Sequence, residues 1–155
     1  MMLRLISYID KLLSTLLVLS ASLMIGIVML QVLSRFALPW SFHWTEELAR
    51  FCFIYMVSLG AGLALKDRCY VGVEFILNRL SAKSKRYLEL LILFATGILM
   101  VTMFLHVFPL LQVVRLHFSP ALQINMAWMY ASTMIMSFSV LLYCILLFIE
   151  KLRQQ

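Results

Sequence analysis

The chain has 155 residues, of which 64% are hydrophobic and only 13% charged, with a mean hydropathy of +0.99. A water-soluble domain carries about a quarter charged residues, so this chain has too little polar surface to cover a core in water and its solvent must be lipid. The net charge of +6 does not mark a nucleic-acid binder, because the cations fall between long apolar runs, where they flank membrane spans.

The first apolar run lies between Lys11 and Arg35 without a formal charge, and a spanning helix needs about 20 apolar residues, which predicts a first span over about 12–36. The segment before it has two basic residues, Arg4 and Lys11, in the manner of a signal peptide. The apolar run is too long for one and no A-x-A site follows, so the segment is expected to be retained. The second uncharged run, Phe51 to Leu65, is short and reaches membrane length only if the helix opens at Thr45, giving a span over about 45–65. Thr45 is expected as its N-cap, Glu46 and Glu47 suit the positive end of the helix dipole, and Glu46 can reach Arg50 at i,i+4. A solvated helix start and a buried polar contact to a partner are equally good readings of that cluster.

Beyond Lys66, the residues Val73, Ile76, Leu77 and Leu80 recur at i, i+3, i+4 and i+7, with Glu74, Asn78 and Arg79 opposite. This spacing predicts a short interfacial amphipathic helix over about 71–80. A third span is expected over about 84–114, with Gly97 and Pro109 inside it, and a fourth over about 126–150, after the Ser119-Pro120 break. Trp40, Trp44 and Trp128 sit near predicted span ends, where indole rings prefer the interfacial zone. The prediction is an all-α integral membrane protein with four transmembrane helices and one interfacial helix, all in a single membrane domain covering 1–155. No internal repeat, low-complexity tract or linker divides it.

Orientation follows from the cations. Of the thirteen Lys and Arg, ten fall in the N-terminal segment, the 66–89 connection and the C-terminus, against Arg35, Arg50 and Arg115 on the other side. By the positive-inside rule both termini and the amphipathic helix are expected in the cytoplasm.

Chemistry-bearing motifs are sparse. No Gly-rich phosphate loop, H-E-x-x-H helix or GxSxG elbow occurs, so enzyme activity has no positive support. Cys52, Cys69 and Cys144 are far apart, with no CxxC or Cys/His pairing, and read as free thiols. Only His106 lies deep in a span. His43 and His117 fall in the outer connections, so a bis-histidine haem pair does not assemble from this chain alone, and no cofactor is expected in it. Gln31, Thr102, His106 and Gln112 are the polar residues within spans one and three, where such groups face protein rather than lipid. Gln31 with Arg35, and Thr102 with His106, stand at i,i+4 and are expected to bond across a helix contact. No Asp or Glu is expected inside spans one, three or four, which favours packing over a transport path. Ser22 with Gly26, Ser58 with Gly62, and Gly60 with Ala64 have the small-xxx-small spacing that lets helix backbones approach closely. Whether those faces pack within the bundle or onto another protein is open at this level.

The stretch Trp44-Thr45-Glu46-Glu47-Leu48-Ala49-Arg50-Phe51, then Gly60-Ala61 and the Lys66-Asp67-Arg68 exit, resembles the small membrane subunit (Q-type, DctQ-like) of tripartite ATP-independent periplasmic (TRAP) transporters. The likeness continues through 71–80, the Lys85-Arg86 entry to span three, and Ser119-Pro120-Ala121-Leu122-Gln123-Ile124, and covers nearly the whole chain. Tyr70 stands where the family commonly has His, Glu74 where Asp is common, and Asn125 and Met134 where prolines are frequent. The resemblance implies a bacterial inner-membrane subunit of a three-part importer. In it a periplasmic binding protein delivers an organic acid, a large elevator-type permease subunit moves it on a sodium or proton gradient, and the small subunit braces the large one as scaffold.

On this reading Trp44, Glu46, Glu47 and Arg50 are the expected interface cluster. Gln31, Gly60 and Gly62 are further candidates, and Arg35 and Arg115 are placed to receive the binding protein or membrane lipid at the outer face. Two other readings compete: a stand-alone four-helix transporter, and a haem or quinone anchor of a respiratory complex.

Overall fold

A computed structural model describes residues 2–37, 43–67 and 82–153. Four helices account for nearly all of them: α1 (Met2–Ala37), α2 (His43–Lys66), α3 (Ala82–Val114) and α4 (Ala127–Arg153). All four are long and apolar enough to cross a membrane, and the described residues hold no strand, only an isolated antiparallel bridge between Phe118 and Asn125. In lipid every backbone polar group must find its partner within the chain, which leaves the helix as the economical spanning form.

The helices extend past the uncharged runs. At about 1.5 Å per residue α1 reaches roughly 54 Å, longer than the apolar layer of about 30 Å. It therefore starts at Met2 rather than near residue 12 and takes Asp10 and Lys11 into its first turns. Carboxylates thus do occur within these helices: Asp10 in α1, Glu89 in α3 and Glu150 in α4. They belong to the end turns that an uncharged-run criterion leaves out. At the start of α2 the helix opens at His43, so Thr45 lies inside the first turn, fully buried, and is not the N-cap. The start of α4 is capped instead by Asn125, whose Oδ1 accepts from the Ala127 amide at 2.9 Å, the usual work of an Asn before a first turn. Pro109 sits within a continuous α3. The amphipathic helix expected at 71–80 lies outside the described residues.

The helices pack as a row in the order α1, α2, α4, α3, with α2 and α4 in the middle. Pairing of residues along the row sets the directions. Asp10 meets Lys66 and Gln31 meets Glu46, so α1 and α2 are antiparallel. Tyr55 meets Trp128 and Gly62 meets Ser139, so α2 and α4 run parallel. Arg86 meets Lys151 and Leu93 meets Cys144, so α3 and α4 are antiparallel. The chain starts of α1 and α3 and the chain ends of α2 and α4 therefore share one end of the row, here the termini end; the other is the hairpin end.

Lipid tails are as apolar as Leu, so helices in a bilayer are held by close contact and polar bonds rather than by expulsion of water. The row is built accordingly. Ser132, Ser137 and Ser139 on α4 are buried, and each hydroxyl donates to a carbonyl of its own helix, leaving small residues at the contact faces. A Cβ on Gly62 would lie 2.9 Å from both Cβ and Oγ of Ser139, and one on Gly60 would lie 2.8 Å from Leu17 Cδ1. One glycine thus seats α2 against α4 and the other seats it against α1. The buried apolar cluster, including Leu13, Leu59, Leu65, Leu93, Val140 and Tyr143, fills the half of the row towards the termini end.

Candidate functional site

Polar groups concentrate at the two ends of the row, where helix ends leave backbone donors and acceptors to be satisfied. At the hairpin end the residues joining α3 to α4 fold back on themselves. The Ser119 amide donates to the Ile124 carbonyl at 2.9 Å, and the Met126 amide to the His117 carbonyl at 3.0 Å. Gln123 takes up the reversal in the left-handed region, at φ 54°, a conformation that costs a side chain with a Cβ about 1–2 kcal/mol. The Asn125 amide group donates to the Arg115 carbonyl at 2.8 Å and closes the hairpin across its base.

This hairpin is clasped by Glu47. Its carboxylate accepts from the Ser119 hydroxyl, from the Leu122 amide at 2.8 Å and from the Ala121 amide at 3.1 Å. Successive amides in a turn form a concave donor site for an anion, and here the anion is a side chain from the first turns of α2. Arg50 stands one turn further on, exposed, close enough to act on the Glu47 charge. It lines a small cavity of about 70 Å³ with Glu47, Phe51, Pro120 and Met126. Glu46 points the other way, towards α1, where its Oε1 accepts from Gln31 Nε2 at 3.3 Å. Tyr55, a turn deeper, donates to the Trp128 carbonyl at 2.7 Å and ties α2 to the start of α4.

At the termini end Asp10 bridges three helices. One oxygen meets Lys66 Nζ at 2.6 Å and the other accepts from the Tyr143 hydroxyl. Tyr143 is only 2% exposed, so its hydroxyl depends on that carboxylate, whereas the Lys66 pair is partly wet and worth less. Glu89 of α3 pairs with Lys151 of α4, and Arg86 donates to the Lys151 carbonyl at 3.0 Å. Each adjacent pair in the row is therefore stapled by polar bonds, α1 to α2 at both ends.

Two stretches prominent in the sequence, Trp44 to Phe51 and Ser119 to Ile124, thus meet in space through Glu47. Residues 24–154 match the model of the family described as "Tripartite ATP-independent periplasmic transporters, DctQ component".

The chain belongs to the DctQ family.

It is a TRAP transporter small permease subunit, a multi-pass membrane protein and a transporter component rather than an enzyme. Similar proteins agree. A Haemophilus influenzae (strain ATCC 51907 / DSM 11121 / KW20 / Rd) protein named as a TRAP transporter small permease protein is 27% identical over 135 residues, covering 85% of this chain and 80% of its own length. The sialic acid TRAP transporter small permease protein SiaQ of Vibrio cholerae serotype O1 is 29% identical over 87 residues, 54% of this chain and 50% of its own. The sialic acid TRAP transporter permease protein SiaT of Haemophilus influenzae (strain 86-028NP) is 32% identical over 62 residues, 40% of this chain and 10% of its own. Family membership displaces the respiratory-anchor and stand-alone-transporter readings.

Within this DctQ-family chain the expected interface residues divide. Gly60 and Gly62 make contacts between the chain's own helices, and Glu47 makes the hairpin clasp. Glu46 bonds Gln31 and makes no ion pair with Arg50 among the described residues, because Gln31 of α1 lies across from it. Arg35, Arg50 and Arg115 stay exposed, and Trp44 is 40% exposed. Gly26 faces open space, unlike the other two glycines of the small-residue pairs. Thr102 and His106 do not bond across a helix contact: the Thr102 hydroxyl donates to the Leu99 carbonyl and His106 Nδ1 pairs with the Thr102 carbonyl at 2.7 Å, both within α3. The bridge of Asp10, Lys66 and Tyr143 joins residues that no local pattern links. Its one sequence signal is a lone acid on an otherwise apolar helix, with partners 56 and 133 residues away.

Proposed function

We propose that this small permease subunit braces the large permease subunit of its TRAP transporter, serving as a fixed scaffold in the membrane while the large subunit carries the substrate. The observation that supports this most is how the row uses its polar and small residues. Asp10, Glu47, Gly60, Gly62 and the buried serines of α4 are taken up at the two ends and between neighbouring helices, while the edge helices turn largely apolar faces outward, with Leu12, Leu19, Leu23 and Leu33 on α1 and Leu91, Phe94 and Leu105 on α3 all more than half exposed. Such a surface suits lipid and the flank of another membrane protein. A rigid row stapled at both ends resists being dragged when a neighbouring domain slides, which is what bracing requires.

The wider reading is an elevator-type large subunit that imports an organic acid from a periplasmic binding protein on a sodium or proton gradient. The chain lies in the bacterial inner membrane with both termini in the cytoplasm, an orientation supported by the cation bias. The names of SiaT and SiaQ, both sialic acid TRAP transporter proteins, support a carboxylate as the class of solute. This chain carries no cofactor in the proposal, and the ion sites belong to the large subunit.

The test is co-purification. A tagged small subunit expressed with its large subunit should recover it from detergent in a fixed ratio, and Arg50→Ala should lower that recovery. Failure of the parent chain to recover the large subunit would overturn the bracing role, and unchanged recovery with Arg50→Ala would remove Arg50 from the contact.

A further inference from the structure

Between the last turns of α1 and the first turn of α2 lies a pocket of about 340 Å³ whose lining includes Val28, Val32, Gln31, Arg35, His43 and Glu46. Its chemistry is unusual for a helix crevice at a membrane boundary. A permanent cation and a second nitrogen donor, Arg35 and His43, share the pocket with a carboxylate, Glu46. Arg35 makes no ion pair among the described residues. Among the described residues Glu46 accepts one long bond, 3.3 Å from the Gln31 amide, and a carboxylate has acceptor capacity for several. All three side chains are exposed. The charges are thus held in one pocket without neutralising one another.

We propose that this pocket seats the headgroup of a phospholipid bearing a primary ammonium, with Arg35 and His43 on the phosphate and Glu46 on the ammonium. Three features favour that occupant. Arginine matches phosphate by its planar fork of donors, and a carboxylate is the matching acceptor for an ammonium. An anionic headgroup without an ammonium would meet the Glu46 charge with no cation to offset it. Val32 and Val28 lie about one and two turns deeper along α1 than Arg35, so an acyl chain leaving the phosphate finds an apolar path along the same helix. Lipid retention is read on this chain alone, so the proposal does not rest on the bracing role.

The full chain, purified in mild detergent and exchanged into mixed vesicles of equimolar dioleoyl phosphatidylethanolamine, phosphatidylcholine and phosphatidylglycerol, is analysed for retained lipid by native mass spectrometry. The parent should retain phosphatidylethanolamine over phosphatidylglycerol by about three- to fivefold, the scale of one wet charge contact. Arg35→Gln should lower retention of all three lipids. Glu46→Gln keeps an amide oxygen for Gln31 and should remove the preference for the primary ammonium while leaving phosphate-dependent binding. Matching melting temperatures for parent and variants separate this result from misfolding. Equal retention of the three lipids by the parent, or retention unaffected by either substitution, would overturn the proposal. Unaffected retention together with weaker capture of the periplasmic binding protein would assign the pocket to protein contact instead.

Discussion

Gly62→Ala tests the packing that holds the middle of the row. The added Cβ would stand 2.9 Å from Ser139 Cβ and Oγ and 3.2 Å from the Ser139 carbonyl carbon, where ordinary contact is 3.4–4 Å. Neither Cβ nor a backbone carbon can swing aside, so α2 and α4 must separate by roughly 0.5–1 Å. A gap of that size forfeits a quarter to a half of the dispersion well along the contact. Overpacking of this kind costs about 1–3 kcal/mol, which for a chain of this length lowers the melting temperature by roughly 3–10 °C. Two controls sharpen the reading. Gly60→Ala meets only the terminal methyl of Leu17, which can rotate away at about 0.5–1.5 kcal/mol. Gly26→Ala meets nothing within 4 Å and should be neutral or stabilising by up to about 1 kcal/mol, because it removes the helix penalty of glycine. Adding Ser139→Gly to Gly62→Ala removes the two closest atoms and should recover most of the loss, less the helix penalty of glycine, about 1 kcal/mol. Thermal unfolding in detergent, followed by tryptophan fluorescence, measures all four. Equal melting of Gly62→Ala and Gly26→Ala would refute the claim that Gly62 seats α2 on α4.

The end networks give two further predictions. Glu47→Gln removes the charge that three donors of the hairpin share, so amide hydrogen exchange at Ala121 and Leu122 should accelerate while exchange in the middle of α4 stays as it was; unchanged protection at those two amides would mean the clasp is not formed. Asp10→Ala leaves the buried Tyr143 hydroxyl without its acceptor, at about 1–3 kcal/mol, whereas Tyr143→Phe removes the donor itself and should cost less, about 0.5–1.5 kcal/mol. In the Tyr143→Phe background the cost of Asp10→Ala should shrink to that of a wet ion pair, about 0–1 kcal/mol. Full additivity of the two substitutions, read by melting temperature, would show that the side chains do not depend on one another.

Much of this architecture was legible in the residues because lipid imposes it. An uncharged run of about 20 residues has few fates other than crossing, and four helices stand where four runs predicted them. The ends were less legible, because charged residues such as Lys11 and Glu89 are good helix formers and let helices run on into the polar zone, where charge no longer marks a boundary. At the site, the sequence marked Glu47 and Ser119 separately but not their meeting, since nothing local in either stretch says which of two adjacent glutamates turns towards a hairpin 72 residues away. Gly60 and Gly62 illustrate the same limit. Small-residue spacing announces a close approach, and only the row order shows that α1 and α4 are the partners.

The proposed role has this subunit bracing a transporting partner and moving nothing itself. Solute uptake into proteoliposomes carrying an imposed ion gradient, with the binding protein supplied outside, measures that directly. Small and large subunits together should accumulate solute, with accumulation falling sharply when the small subunit is left out and absent when it is reconstituted alone. Accumulation by the small subunit alone, or full transport by the large subunit without it, would contradict the account.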